Sequence, residues 1–208
     1  MTIRIGIVDD HPVVVDGLRA ALAAAEGFEV VARAGTIRDA EALLAREGLD
    51  VILMDVRLPD GNGLELLERT AGSRTVAVIV LSSFESAQYV AAAVRFGAQG
   101  FLVKTAPLDE VMEAVRRVAA GGAAFSAGQL REGLKGPVRL RPRERDVVRR
   151  ILAGQSNDEI AAGLQTSRKT VEKVLSRLFA RFDVGNRLEL GLRAEREAWL
   201  EIEPRQAP

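Results

Sequence analysis

The stretch VILMDVRLPDG, Val51–Gly61, decides how the first half of the chain is read. Four apolar residues in succession read as a strand buried on both faces. The run ends on Asp55 and then turns at Pro59, Asp60 and Gly61. A carboxylate delivered by the tip of a core strand is held rigidly, and such rigidity matters where something is bound or attacked.

Working outward, the same alternation recurs over residues 1–120. Ile3–Val8, Phe28–Ala34, Val76–Ser82 and Gly100–Lys104 join Val51–Asp55 as strands. Pro12–Glu26, Thr36–Glu47, Leu64–Thr70, Glu85–Phe96 and Pro107–Ala120 carry apolar residues at helical spacing. Strand–helix alternation predicts a parallel sheet covered on both faces through right-handed crossovers. Near-continuous apolar strands agree with that two-sided burial.

In such sheets ligands bind beyond the carboxyl ends of the strands. Asp9 and Asp10 follow the first strand, Asp55 ends the third, Ser82 the fourth and Lys104 the fifth. Taken singly, an Asp at a strand end is a turn former or cap, Ser82 a local cap and Lys104 a solvated charge. Together they describe a site. Three converging carboxylates repel one another, and a hard divalent cation relieves the conflict. Oxygen ligands favour Mg²⁺. Lys104 then offers a point charge, and Ser82 a hydroxyl, to an anion beside the metal. His11, the single histidine, reads as a loop or helix-start residue.

The composition fits this picture. Hydrophobic residues at 48% and charged residues at 28% suit a water-soluble globular protein. Cysteine is absent, which removes disulfides and thiolate metal sites from consideration. Acids at positions 9 and 10 argue against a signal peptide, and no apolar run approaches a membrane span, so a cytoplasmic address is expected. Net charge is zero, yet residues 1–137 carry 14 basic against 18 acidic groups and residues 138–208 carry 15 against 11. A basic second half hints at a polyanionic partner. The small-residue segment between, Ala119–Pro137, reads as a linker.

The motifs VDDHP, MDVRLPDGNG, LSS and LVKTAPLDEV resemble, in order and spacing, those of two-component response regulators of the NarL/FixJ type. The resemblance implies a flavodoxin-like (βα)5 receiver domain over residues 1–120, with Asp55 as phosphate acceptor. It implies Mg²⁺ held by Asp9, Asp10, Asp55 and the backbone carbonyl of Arg57. Ser82 would bind a phosphoryl oxygen, Lys104 would pair with the phosphoryl group, and Phe101 would be the switch aromatic, rotating inward on activation. The plainer reading of Phe101 is a permanent core residue.

From Arg141 onward the patterns are helical. Arg141–Gly154 places Val147, Val148, Ile151 and Leu152 on one face. Ser156 and Glu159 stand at capping-box spacing, Ser167 is a natural N-cap, and Asn186 with Glu189 repeats the box. Four helices with a short break between the second and third predict a helix-turn-helix. In the third helix Val171, Val174, Leu175, Leu178 and Phe182 form the buried stripe, opposite a polar and basic face. Such a face is either simply solvated or enters the major groove.

Residues 139–208 resemble the LuxR-type four-helix DNA-binding module, joined to the receiver by a linker at 121–138. The resemblance implies double-stranded DNA, a cognate histidine kinase and a homodimer favoured by phosphorylation as partners. It puts Glu172, Lys173 and Ser176 at base-facing positions. Arg168, Lys169, Arg177 and Arg181 are then phosphate contacts, which position without specifying. Four residues depart from the family pattern: Arg141 stands for the usual capping Thr, Thr166 for an apolar turn residue, Glu172 for a basic residue and Val174 for a His.

Two other readings compete. A divergent output domain could bind protein instead of DNA under the same phospho-switch. An aspartate-nucleophile phosphatase resembling the haloacid dehalogenase family would want a second Asp two residues after Asp55, where this chain has Arg57.

Overall fold

The chain runs β1 (Ile3–Val8), α1 (Pro12–Ala24), β2 (Phe28–Ala34), α2 (Ile37–Leu44) and β3 (Val51–Asp55). A small hairpin follows, β4 (Arg57–Leu58) and β5 (Gly61–Asn62), then α3 (Gly63–Thr70). Next come β6 (Ala77–Ser82), α4 (Ala87–Arg95), β7 (Gly100–Val103), α5 (Leu108–Ala119) and α6 (Ala127–Lys135). Four further helices are α7 (Pro142–Leu152), α8 (Asn157–Gly163), α9 (Arg168–Phe182) and α10 (Arg187–Arg196). This computed structural model describes residues 1–135, 138 and 140–200. Of the expected linker, residues 136 and 137 lie outside the described residues, as do 139 and 201–208 of the expected second domain. The chain divides into two units, Met1–Pro137 and Val138–Pro208.

The first unit is a five-stranded parallel sheet in the order β2-β1-β3-β6-β7. Period-two alternation sends Ile5, Ile7, Val51, Leu53, Ile79 and Leu81 to one face, against Val15, Leu18 and Leu22 of α1 and Val111, Val115 and Val118 of α5. The intervening Ile52, Met54, Val78 and Val80 are equally buried, so both faces of the central strands are dry. Each such side chain stabilises the fold by roughly 1.5–3 kcal/mol relative to exposure, before conformational entropy is subtracted. Every strand and helix read from residues 1–120 is present, with ends shifted by no more than three residues.

The segment read as a linker is corrected in part. Ala124 bridges to Gly100 on the edge strand β7, its N–H donating to Gln99 O at 2.7 Å and its carbonyl accepting from Phe101 N at 3.1 Å. Helix α6 follows. Ser126 starts it: Gln129 N–H donates to Ser126 Oγ at 3.1 Å, and Ser126 N–H donates to Gln129 Oε1 at 2.8 Å. This is a reciprocal capping box inside a glycine-rich stretch. The helix packs on α4, where Gly133 sits close to Val90 and Val94.

The second unit is helical, with a core of Val147, Val148, Ile151, Ile160, Val171, Leu175, Leu178, Phe182, Leu190 and Trp199. Helices α8 and α9 pack together across a short turn in which Gln165 has φ 50°. Ser156 and Glu159 close a capping box on α8, and Ser167 caps α9 by accepting from Thr170 N. Arg141 at the N-cap of α7 offers no side-chain acceptor. Its backbone N–H is nevertheless bound by Glu144 Oε2 at 2.9 Å, so half of the box survives the missing Thr. The last helix is shorter than its pattern suggests. It ends at Arg196, and Ala198 at φ 55° turns Trp199 back into the core.

Candidate functional site

Strand register builds the first site. Val8 lies opposite Met54, so the residues that follow, Asp9 and Asp55, emerge side by side between neighbouring strands. Asp9 N–H continues the pairing by donating to Ala34 O at 3.0 Å, and Lys104 N–H does the same to Ser82 O at 2.7 Å. Gly63 lets the chain press against this point. A Cβ there would lie 2.3 Å from the backbone oxygen of Asp55, a distance no side chain tolerates.

Lys104 Nζ stands 2.7 Å from Asp55 Oδ2 and 2.7 Å from Asp9 Oδ2, all three groups nearly or fully buried. On the other side, His11 Nδ1 lies 2.9 Å from Asp9 Oδ1 and 2.9 Å from Asp10 Oδ1. Burial, the largest influence, raises the pKa of Asp55. The Lys104 hydrogen bond and charge oppose the rise without cancelling it, Asp9 adds to it, and a backbone hydrogen bond from Arg57 lowers it slightly. Burial alone would lower Lys104, but its bonds to Asp55 and Asp9 outweigh that and hold it above the usual lysine range.

Asp9, Asp10, His11 and Asp55 each bring one ligand atom within 4.8 Å of the others. The donor set, dominated by carboxylate oxygens in a chain without cysteine, fits a hard divalent metal. Sequence reading found the three acids but placed His11 only at a helix start. It is indeed the N-cap residue of α1, and the same position turns its ring towards Asp9 and Asp10. Its place directly after the acidic pair was the available signal.

The remaining first-unit residues are disposed differently. Ser82 Oγ donates to Phe84 O at 2.8 Å and accepts from Phe84 N at 3.2 Å, so its hydroxyl is engaged by the β6–α4 loop. Phe101 is completely buried. Arg57 Nε donates to the buried Tyr89 hydroxyl at 3.3 Å.

In the second unit Arg168, Lys169, Glu172, Lys173, Ser176, Arg177 and Arg181 are all exposed on α9. Two adjacent rows at four-residue spacing contain them, so they share one face. Some are engaged within the protein. Arg168 bonds Glu172 Oε1 and Asp158 Oδ2, each at 2.9 Å. Ser176 Oγ donates back to Glu172 O at 3.0 Å, and Arg181 pairs with Glu144 Oε2 at 3.2 Å.

Comparison with known proteins decides what this pair of sites belongs to. Residues 5–116 match the family described as the response regulator receiver domain, and residues 138–194 match the bacterial regulatory proteins of the luxR family. The chain belongs to the response regulators. The regulator is 37% identical over 194 residues to the transcriptional regulatory protein UhpA of Salmonella typhimurium, covering 92% of this chain and 97% of that one. It is 35% identical to the transcriptional regulatory protein MctR of Rhizobium johnstonii, covering 83% and 87%. Among solved structures it resembles the response regulator ChrA of a heme-sensing two-component system, with 28% identity, a TM-score of 0.57 and coverage of 96% and 99%. The fold is also that of RcsB in an RcsB–DNA complex, at 23% identity, a TM-score of 0.68 and coverage of 94% and 99%. The regulator is thus a two-component transcription regulator of the NarL/FixJ type, a receiver followed by a LuxR-type domain. No described helix is long and apolar enough to cross a membrane.

Proposed function

We propose that phosphoryl transfer to Asp55 switches the regulator, and that the phosphorylated form binds double-stranded DNA as a homodimer through the exposed face of α9. The observation that carries the reading is Lys104 Nζ at 2.7 Å from both Asp55 and Asp9, a buried cation placed between a nucleophile and a metal-ligating acid. A cognate histidine kinase is the donor, and a reducing cytoplasm the place of action.

An Asp55 carboxylate oxygen attacks the phosphorus of phosphohistidine. The P–N bond breaks, its electrons return to the imidazole nitrogen, and an acyl phosphate forms. Asp9, Asp10, Asp55 and the Arg57 carbonyl would hold Mg²⁺, which when bound neutralises charge on the phosphoryl oxygens. Lys104 passes from the carboxylate to a phosphoryl oxygen. Ser82 gives up the Phe84 carbonyl to donate to another, which loosens the β6–α4 loop and opens room for Phe101 to rotate inward. Hydrolysis of the acyl phosphate resets the switch.

On the DNA side, two copies of α9 occupy successive half-sites in the major groove. Glu172, Lys173 and Ser176 face base edges, a Glu accepting from the cytosine amino group. Arg168, Lys169, Arg177 and Arg181 face phosphates. The bond between Arg168 and Glu172 fixes the carboxylate before DNA arrives, and Ser176 turns outward from its own helix to donate.

The test is retention of a randomised duplex pool by the full-length protein with Mg²⁺, with and without beryllofluoride, beside Asp55→Asn. A repeated half-site enriched only when beryllofluoride and Asp55 are both present is the expected outcome. A beryllofluoride-dependent change of oligomer with no DNA retained at low salt would overturn the DNA reading and point to a protein partner.

A further inference from the structure

We propose that Arg141 joins Arg177 and Arg181 in a binding site for a DNA backbone phosphate at the start of α7. The inference rests on the DNA-binding reading of α9 and adds a contact from a different helix. Four side chains, Arg141, Glu144, Arg177 and Arg181, line an open cleft of about 540 Å³. Glu144 is the one acid in that lining. Its Oε2 is already used twice, accepting the Arg141 N–H at 2.9 Å and pairing with Arg181 at 3.2 Å. Three arginines and one acid thus line the cleft, and positive charge predominates in that lining.

That surplus works against the isolated protein. Arg177 and Arg181 stand four residues apart on α9, a spacing at which like charges repel. An anion entering the cleft removes the repulsion. Guanidinium forks match phosphate oxygens in pairs, which a lysine ammonium does not. Arg181 is also held in place by stacking over the Phe182 ring, 4.9 Å from its centroid, so less freedom is lost when it binds.

Arg141 enters this site because it is a poor cap. Its side chain makes no cap hydrogen bond to the first turn of α7, and the residue is exposed and lines the cleft with the α9 arginines. A threonine here would serve the helix and leave the cleft with two arginines. An arginine shifts a small amount of helix stability into polyanion affinity, and the contact is indifferent to sequence because phosphates carry none.

The experiment measures binding of the full-length protein to a labelled mixed-sequence duplex over a range of salt concentrations. Wild type, Arg141→Thr and Arg141→Lys are compared, with melting temperatures recorded for each. Arg141→Thr is expected to bind several-fold more weakly at about 0.1 M salt and to lower the slope of log K against log salt by roughly one. Its melting temperature should hold or rise, since threonine supplies the missing cap acceptor. Arg141→Lys should restore most of the slope but only part of the affinity. An unchanged slope in Arg141→Thr, with wild-type binding intact, would overturn the site while leaving DNA binding by α9 in place. Failure of the wild type to bind duplex at low salt would overturn both.

Discussion

Asp60 Oδ1 accepts the backbone N–H of Ile37 at 2.6 Å, tying the loop after β3 to the first turn of α2 across 23 residues. Asp60 Oδ2 takes the next amide, Arg38, at 3.3 Å, while Thr36 caps the same helix by accepting from Asp39 N at 3.1 Å. The first amides of a helix have no partner within it, and here an acid from outside supplies one. The loop that carries Asp60 is also the loop that fixes the backbone downstream of Asp55.

The Ile37 amide holds the Asp60 carboxyl below the usual aspartate range. A depressed folded-state pKa gives stability that is present above the unfolded-state value, about 3.9, and is lost as pH falls through the folded-state value. Asp60→Asn should therefore speed exchange of the Ile37 and Arg38 amides, after correction for intrinsic rates, at neutral pH. The gap from wild type should persist through the ordinary aspartate range and close only at pH values below it. A gap independent of pH would mean that the carboxylate charge contributes nothing.

Lys104 sets one positive charge between two buried acids, 2.7 Å from each. Its replacement by methionine leaves Asp9 and Asp55 facing each other, at a cost on the order of 3 kcal/mol. A divalent cation offers the same neutralisation from the solvent side and stabilises by mass action. Lys104→Met should lower the melting temperature, and millimolar Mg²⁺ should raise that of the variant by more than it raises that of the wild type. Equal Mg²⁺ shifts in both proteins would show that these acids do not share a metal. Phosphorylation by a small-molecule phosphodonor should fall sharply in the variant regardless.

The sheet was legible because β3 is buried over its full length, and such a strand announces itself by composition. The acids were legible because parallel strands deliver their terminal residues to one edge. What escaped lies where local signals conflict. Ser126 and Gln129 spell a capping box, yet four glycines between 121 and 133 read as a linker, and only packing against α4 settles the matter as α6. Asp60 looked like an ordinary turn residue, since its partner amides are 22 and 23 positions away. Gln165 in the left-handed region gives no hint of itself, because a glycine is the usual residue there. Arg141 read as a lost cap, and nothing local in the sequence brings Arg177 and Arg181 beside it.

Trp199 is the clearest case of a core residue hidden by its neighbours. Helical spacing runs on through Leu200, but the chain leaves the helix after Arg196 and folds the indole inward. Its ring centroid lies 4.0 Å from that of Phe182, at 36°, and Nε1 donates to Glu197 Oε2 at 2.8 Å. The tryptophan is 1% exposed, so its loss leaves a cavity as well as an unburied ring. Trp199→Ala should destabilise the second unit by about 3–5 kcal/mol. Trp199→Phe should recover part of this, because it keeps the contact with Phe182 but not the bond to Glu197. As the only tryptophan in the chain, Trp199 reports unfolding of its own unit by fluorescence in the wild type, and circular dichroism can follow the variants. An unchanged denaturation midpoint in Trp199→Ala would mean that α7 to α10 form their core without this segment.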